Sequence, residues 1–92
     1  MTPYPCSILT PSGKVFAEKI ESLIAPGQEG SFGVLARHAP MVTLLGKGVV
    51  QIKDSVGLKY FAIESGILEV GQNSEVLILA DAATPTEVSK LN

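Results

Sequence analysis

Short runs of β-forming residues alternate with turn residues along most of this chain, and that alternation limits the folds open to it. Clusters of Gly, Pro, Asn, Asp and Ser separate most runs from the next. Strands this short and this evenly spaced favour a sandwich or a flattened barrel over an α/β fold. The runs that we predict as strands are residues 6–10, 14–16, 19–25, 32–35, 48–53, 59–64, 66–70 and 75–80.

Side-chain alternation within the predicted strands indicates which of their faces are buried. Residues 75–80 carry apolar side chains on both faces, which predicts a strand that is buried on both sides. Residues 48–53 place Val50 and Ile52 on one face and polar side chains on the other, which predicts burial on one side. A mixture of such strands suits two small sheets that pack face to face. We therefore predict an all-β fold, a small two-sheet β-sandwich or flattened barrel.

The composition excludes several classes of function. With 46% hydrophobic and 17% charged residues in 92, the chain is expected to fold rather than to be disordered. A net charge of −2 with scattered lysines gives no electrostatic footprint for nucleic acid. No apolar run approaches the roughly 20 residues that span a bilayer, and the N-terminus has no signal-peptide pattern, so we expect no direct membrane insertion. The single cysteine, Cys6, cannot form an internal disulfide, which favours a cytosolic compartment.

Residues 26–40, PGQEGSFGVLARHAP, hold three of the nine glycines, two of the six prolines and the only histidine. Two successive turn signals, Pro-Gly and Glu-Gly, open this segment, and Pro40 restricts the residue before it to an extended conformation. The pattern predicts a compact, rigid loop. Rigid loops lose little entropy on docking, so this one is suited to contact another protein. Its outward side chains are predicted to be Gln28, Glu29, Ser31, Arg37 and His38.

The residues that could support catalysis, metal binding or cofactor binding do not form a recognisable site. His38 is the only side chain whose ordinary pKa suits a general base at neutral pH. Cys6 lies in a distant strand, and no nucleophile motif surrounds Ser31 or Glu29. One His and one Cys cannot build a typical zinc site, and the loop glycines have the wrong spacing for a nucleotide-binding turn. We expect no catalytic residue, no metal and no cofactor.

The loop motif resembles the N-terminal domain of the epsilon subunit of F-type rotary ATP synthases. The resemblance begins with PGxEGxFGVL at residues 26–35 and continues through HAP at residues 38–40 and LxxG at residues 45–48. Residues 10–11, 15–16, 66–70 and 79–83 also resemble the family, so the similarity covers about residues 6 to 83. The combination of these motifs is specific, whereas any single one is not.

The resemblance implies a ten-stranded β-sandwich at the foot of the central stalk. It implies a non-catalytic subunit that binds the gamma subunit and the polar loops of the membrane ring of proton-carrying subunits. Such a subunit helps to couple ring rotation to ATP synthesis, as a peripheral part of the complex at the cytoplasmic face of the bacterial inner membrane. The ring-contact residues carried over from the family are Gln28, Glu29, Gly30 and Ser31, with His38 close by. The gamma-contact residues are Thr10, Met41, Val42 and Thr43.

The chain departs from the family pattern in two places. Many relatives carry an acid at the position of Ser31, so the ring contact is expected to depend more on Glu29. The family usually continues into two C-terminal helices, and residues 84–87, TPTE, have the pattern of a helix start. We therefore predict a β-sandwich over residues 1–83 and a tail over residues 84–92 with at most a short helical remnant. Neither ATP binding nor helix-based inhibition is then expected of this chain.

Two further classes of function remain open from the residues alone. A free-standing barrel for a small ligand would need a cavity lined by Phe16, Phe32 and Phe61, which we expect instead to pack in the core. A small hydrolase would use His38. Because hydrophobic residues are so abundant, we also expect Met41, Val42 and Leu44 to leave apolar surface exposed to a partner.

Overall fold

The computed structural model describes residues 2–87, which form ten β-strands and no helix. The all-β class is therefore confirmed. The strands are β1 (Tyr4–Thr10), β2 (Gly13–Ile20), β3 (Ser22–Gly27), β4 (Gly30–Leu35), β5 (Met41–Leu45), β6 (Gly48–Lys53), β7 (Leu58–Ile63), β8 (Gly66–Val70), β9 (Val76–Ala80) and β10 (Ala83–Thr86).

Hydrogen bonds link the strands in the order β10-β7-β6-β3-β5-β8-β9-β1-β2, and β4 pairs with β3 outside this path. Neighbouring strands are antiparallel except β1 and β9, which are parallel. We call the group β10-β7-β6-β3-β4 sheet I and the group β5-β8-β9-β1-β2 sheet II. A single residue pair, Gly27 of β3 with Leu45 of β5, joins the two sheets in the strand pairing.

The inward side chains of both sheets form one hydrophobic core. Phe16 of sheet II meets Phe61 of sheet I edge to face, with ring centroids 5.6 Å apart. The hydroxyl of Tyr4 in sheet II donates a hydrogen bond to the backbone carbonyl of Val34 in sheet I. Because these contacts cross between the sheets, the predicted two-sheet sandwich is confirmed. Phe16 and Phe61 are buried in the core, and Phe32 packs against it half-buried, as expected.

Neighbouring residues of β6 and β9 show that each of these strands has one fully buried face. Val50 and Ile52 are buried, as predicted for β6. In β9, however, Ile78 is 0% exposed whereas Leu79 is 46% exposed, and Leu77 is half-buried. A fold of two layers has one interior, which can receive only one of the two alternating sets of side chains. The prediction that residues 75–80 are buried on both sides is therefore wrong.

The predicted strand at residues 19–25 is interrupted at Glu21, where the chain passes from β2 in sheet II to β3 in sheet I. Ile20 and Leu23 both point into the core, although they are three positions apart. A continuous strand would place them on opposite faces, so the alternation has to shift between them. The strand β5 was not predicted, because residues 41–45, MVTLL, lack a polar alternation.

The chain forms a strand where the sequence predicted the start of a helix. Thr84 and Pro85 lie in β10, opposite Ala62 and Phe61 of β7. Proline is tolerated there because β10 is an edge strand, which has a neighbour on one side only. The helix start over residues 84–87 is thus wrong, and the predicted boundary after residue 83 falls inside β10. Residues 88–92 of the predicted tail lie outside the described residues.

An aspartate closes the hairpin between β6 and β7 beside the core. Asp54 Oδ1 accepts hydrogen bonds from the backbone N–H groups of Val56 at 2.9 Å and Gly57 at 3.0 Å. Lys59 Nζ lies 2.6 Å from Asp54 Oδ2 and 5.7 Å from the centroid of the Phe16 ring. The hydrogen bond from Lys59, followed by those from the two backbone groups, lowers the pKa of Asp54. The network ties the turn to β7, and its lysine reaches the Phe16 ring of sheet II.

Adjacent residues of β9 provide a direct test of the single interior. We expect Ile78→Ala to lower the free energy of unfolding by about 2–5 kcal/mol, because it leaves a cavity in the core. We expect Leu79→Ala to change it by less than about 1 kcal/mol, because that side chain faces outward. Urea unfolding followed by circular dichroism measures both. Equal losses for the two variants would contradict the assignment of faces.

The Asp54 network predicts a pH-dependent contribution to stability. Because the folded-state pKa of Asp54 is lowered, its contribution is present above the ordinary aspartate pKa of about 3.9 and is lost as the pH falls through the folded-state pKa. We expect Asp54→Asn to lower the Tm at pH 7, and we expect the difference from the wild type to shrink below about pH 4. Glu64→Gln is a control at an exposed acid. A difference that stays constant down to about pH 2 would contradict this role of Asp54.

Candidate interaction surfaces

The segment at residues 26–40 is a hairpin followed by a short loop, and less of it is loop than the sequence predicted. Gln28 and Glu29 form a two-residue turn between β3 and β4, and both are exposed. Only this turn and residues 36–40 lie outside strands. The Gln28 N–H donates a hydrogen bond of 3.3 Å to the carbonyl of Leu44 in β5. The backbone therefore holds the tip of the hairpin against sheet II.

Gly27 allows the two arms of this hairpin to approach each other. A Cβ atom at Gly27 would lie 2.7 Å from the carbonyl oxygen of Gly30 and 3.1 Å from the ring of Phe32. Gly30 itself has a φ of +132°, a backbone conformation that residues other than glycine rarely adopt. The Gly27 and Gly30 positions thus explain two of the glycines in the motif.

An open groove of about 480 Å³ lies between the hairpin tip and β5. It brings together four of the predicted ring-contact residues and two of the predicted gamma-contact residues. The lining residues are Gly27, Gln28, Glu29, Gly30, Ser31, Phe32, Val42, Thr43 and Leu44. Residues that are predicted to contact two different partners therefore meet at one corner of the molecule.

His38 is half-buried in the loop between β4 and β5 and is not among the residues that line the groove. Its backbone N–H donates to the carbonyl of Leu35 at 3.2 Å, and its Nδ1 lies 2.7 Å from the carbonyl oxygen of Ala39. Among residues 2–87, no hydrogen bond or ion pair joins His38 to a nucleophilic or acidic side chain.

Burial raises the pKa of the Cys6 thiol to about 12, so the thiol stays protonated at neutral pH.

The four predicted gamma-contact residues occupy different environments. Val42 is 67% exposed, whereas Thr43 is half-buried and Met41 packs against the core. Thr10 ends β1 and lines a second hollow, in which Leu79 takes part. The expectation of exposed apolar surface is thus confirmed for Val42 and Leu44, while Met41 turns inward to fill the edge of the core.

The outer face of sheet II presents a row of apolar residues that crosses four strands. Leu44 of β5 lies opposite Ile67 of β8, Ile67 lies opposite Leu79 of β9, and Leu79 lies opposite Leu9 of β1. Leu44, Ile67 and Leu79 are 40–52% exposed, and Leu9 is half-buried. We call these four residues the apolar row.

Sheet I has no comparable row among the described residues, because polar or small residues interrupt its exposed apolar ones. Ile24 of β3, for example, lies between Gly33 of β4 and Gln51 of β6. Sequence reasoning missed the apolar row because it placed Leu79 in a strand that was buried on both sides. The signal that could have revealed the apolar row is the alternation in β8, where Ile67 faces outward and its neighbour Leu68 is buried.

Within the described range 2–87, no helix is long and apolar enough to cross a membrane. In that same part of the chain, no group of three His, Cys, Asp or Glu side chains is placed to hold a metal ion.

The fold and its surfaces define a small β-sandwich domain that exposes a row of apolar residues on one face. Residues 4–86 match the family described as "ATP synthase, Delta/Epsilon chain, beta-sandwich domain", and the chain belongs to this family. The ATP synthase epsilon chain of Leptospira interrogans is 40% identical over 75 residues, which cover 82% of this chain and 58% of that relative. The epsilon chain of Caulobacter vibrioides is 42% identical over 77 residues, which cover 84% of this chain and 88% of that relative.

A solved structure shows the same fold. The structure of the Euglena gracilis mitochondrial ATP synthase with its OSCP, F1 and c-ring parts contains a chain that superposes with a TM-score of 0.86. The superposition covers 98% of this chain and 59% of that one, at 21% identity. At this identity the likeness extends to the fold alone.

The close approach at the hairpin predicts different outcomes for two glycines. We expect Gly27→Ala to lower the free energy of unfolding by about 1–3 kcal/mol, because the new methyl group would press on the Gly30 carbonyl and the Phe32 ring. Gly33→Ala is the matched control, since the nearest atom to its Cβ would be 3.7 Å away. We expect it to cost less than about 1 kcal/mol. Thermal unfolding measures both, and a larger loss for Gly33→Ala would contradict the geometry.

Proposed function

We propose that this chain is a non-catalytic subunit of the central stalk, or rotor, of a proton-translocating F-type ATP synthase. In this role it binds the gamma subunit and the membrane ring, and it helps to couple ring rotation to ATP synthesis. The exposed apolar face of sheet II, in a chain of the ATP synthase delta/epsilon family, is the observation that carries the proposal. A face of this kind is typical of a protein-protein contact.

The position of the hairpin supports a contact with a second partner. Gln28 and Glu29 project at the tip of a backbone turn that β5 holds in place. We assign the ring contact to the predicted residues Gln28, Glu29, Gly30 and Ser31, with His38 nearby in the following loop. We assign the gamma contact to Thr10, Val42 and the apolar row, with Met41 and Thr43 behind them at the edge of β5.

Two comparisons agree with a position in the central stalk. The chain resembles epsilon chains, and its fold resembles that of a chain in an assembly with F1 and a c-ring. The match spans 58% of the Leptospira relative, so the proposal is confined to what a β-sandwich domain can do. We place the chain peripherally at the cytoplasmic face of the bacterial inner membrane, as part of the assembled complex. No bond-making step is assigned to it.

The alternative of a small-ligand barrel finds less support. It requires a cavity between Phe16, Phe32 and Phe61, but the Phe16 and Phe61 rings contact each other in the core. The alternative of a hydrolase requires a partner for His38, whose ring nitrogen is instead close to a backbone carbonyl. Both observations favour a contact domain.

The proposal predicts that the chain co-purifies with a gamma subunit from the same source at both low and high salt. We expect the burial of apolar surface to supply most of the binding free energy. The complex should therefore survive about 0.5 M salt, at which exposed charges are largely screened. Size-exclusion chromatography of the mixed proteins measures this. Separate elution at both salt concentrations would contradict the proposed function.

Crosslinking in the assembled complex tests the ring contact. We expect a cysteine introduced by Glu29→Cys to crosslink to a ring subunit, because the hairpin tip faces the ring in this proposal. Asn73→Cys is the control, since Asn73 lies in the exposed turn after β8, at the opposite end of that strand from Gly66 and the hairpin corner. Cys6 is buried and should not react. A ring crosslink from Asn73→Cys and none from Glu29→Cys would reverse the assigned orientation.

A further inference from the structure

Glu69 is a charged residue surrounded by apolar ones on the outer face of sheet II. It lies in β8, opposite Val42 of β5 on one side and opposite Leu77 of β9 on the other. These three residues, with Ile67 and Leu79, line a dent of about 210 Å³. Glu69 supplies the only charge in that lining, and it is exposed.

The carboxylate of Glu69 has no cationic partner in the part of the chain that the structure describes. The one ion pair there joins Lys59 to Asp54, at the end of the β6–β7 hairpin. Along its own cross-strand row, Glu69 is followed by Leu77 and then by Ser7 of β1. Solvent therefore satisfies the carboxylate in the free chain.

A partner that covers the apolar row also removes Glu69 from water. An isolated carboxylate is costly to bury, and the cost is offset only if the partner supplies an opposite charge or hydrogen-bond donors in good geometry. The dent is apolar on the side of Leu77 and Leu79, which suits the aliphatic part of a lysine or arginine side chain. The carboxylate then meets the cationic end of the same side chain.

We propose that the outer face of sheet II docks an apolar surface that carries one lysine or arginine, and that this cation enters the dent and pairs with Glu69. The inference rests on the proposed function, in which the occupant is the gamma subunit. Val42 links the dent to the proposed gamma contact, because it is a predicted gamma-contact residue and also lines the dent. The carboxylate of Glu69 sets the chemistry that the occupant must have, and the shared Val42 assigns that occupant to the proposed gamma contact.

A second copy of the chain fits the same face poorly. A twofold contact through the apolar row would bring two Glu69 carboxylates to the same interface, and like charges there are unfavourable. The nearest cations in the pairing pattern, Lys14 opposite Leu9 and Lys19 opposite Pro5, both lie on β2, three strands away from Glu69. The face is therefore better suited to a basic partner than to itself.

Binding of the purified gamma subunit to the chain tests the inference, by calorimetry at about 0.1 M salt, where charges are partly screened. We expect Glu69→Lys to weaken binding at least about 30-fold and Glu69→Gln about 10-fold, because each leaves the partner's cation buried without a counter-charge. Glu64→Lys and Glu64→Gln, at an exposed acid outside sheet II, are matched controls and should stay within about twofold of the wild type. Unchanged Tm values for the Glu69 variants establish that they fold.

The outcomes separate this inference from the proposed function. If the wild type binds gamma and Glu69→Gln binds it equally well, the pairing of Glu69 with a basic side chain is overturned while the proposed function stands. Absence of wild-type binding overturns both. If the chain alone sediments as a dimer and Glu69→Lys dissociates that dimer, the inference is also overturned, because a second copy would then occupy the face.

Discussion

Two layers of short strands enclose a single interior, and each strand can turn one face toward it. Ile78 and Leu79 show the consequence, since these neighbours are 0% and 46% exposed. In a chain of 92 residues with 46% hydrophobic side chains, one small core cannot take them all. The remainder lies on the outside, and strand pairing gathers part of it into the apolar row. The surface on which the proposed function depends is thus a result of the fold itself.

The corner between the sheets places the two proposed contacts next to each other. Gly27 pairs with Leu45 there, and the Gly46 N–H donates a 2.8 Å hydrogen bond to the carbonyl of Pro26. The hairpin that carries Glu29 therefore connects to β5 through backbone hydrogen bonds, without a flexible linker. A load applied at the hairpin would pass directly into sheet II. A rigid body with two adjacent contact surfaces is what a rotor subunit requires.

The sequence predicted the class of the fold, the two-sheet arrangement and most of the strands, because a period of two identifies a strand locally. Its errors lie where position in the whole fold decides the outcome. The shift at Glu21 depends on Ile20 and Leu23 sharing one core, and β10 depends on the edge of sheet I being free to pair. Glu69 lies in β8, which the pattern of residues 66–70 correctly predicts as a strand. Its apolar surroundings come from the neighbouring strands, which no local pattern contains.

The most direct measurement of the central claim is an NMR titration of the labelled chain with the gamma subunit. The account predicts that the methyl signals of Val42, Ile67 and Leu79 shift or broaden as gamma is added. It also predicts that Ile24 and Leu35, which are 44% and 55% exposed on sheet I, keep their free positions. Perturbation of the sheet I pair with an unchanged sheet II would contradict the account, as would a titration in which no signal changes.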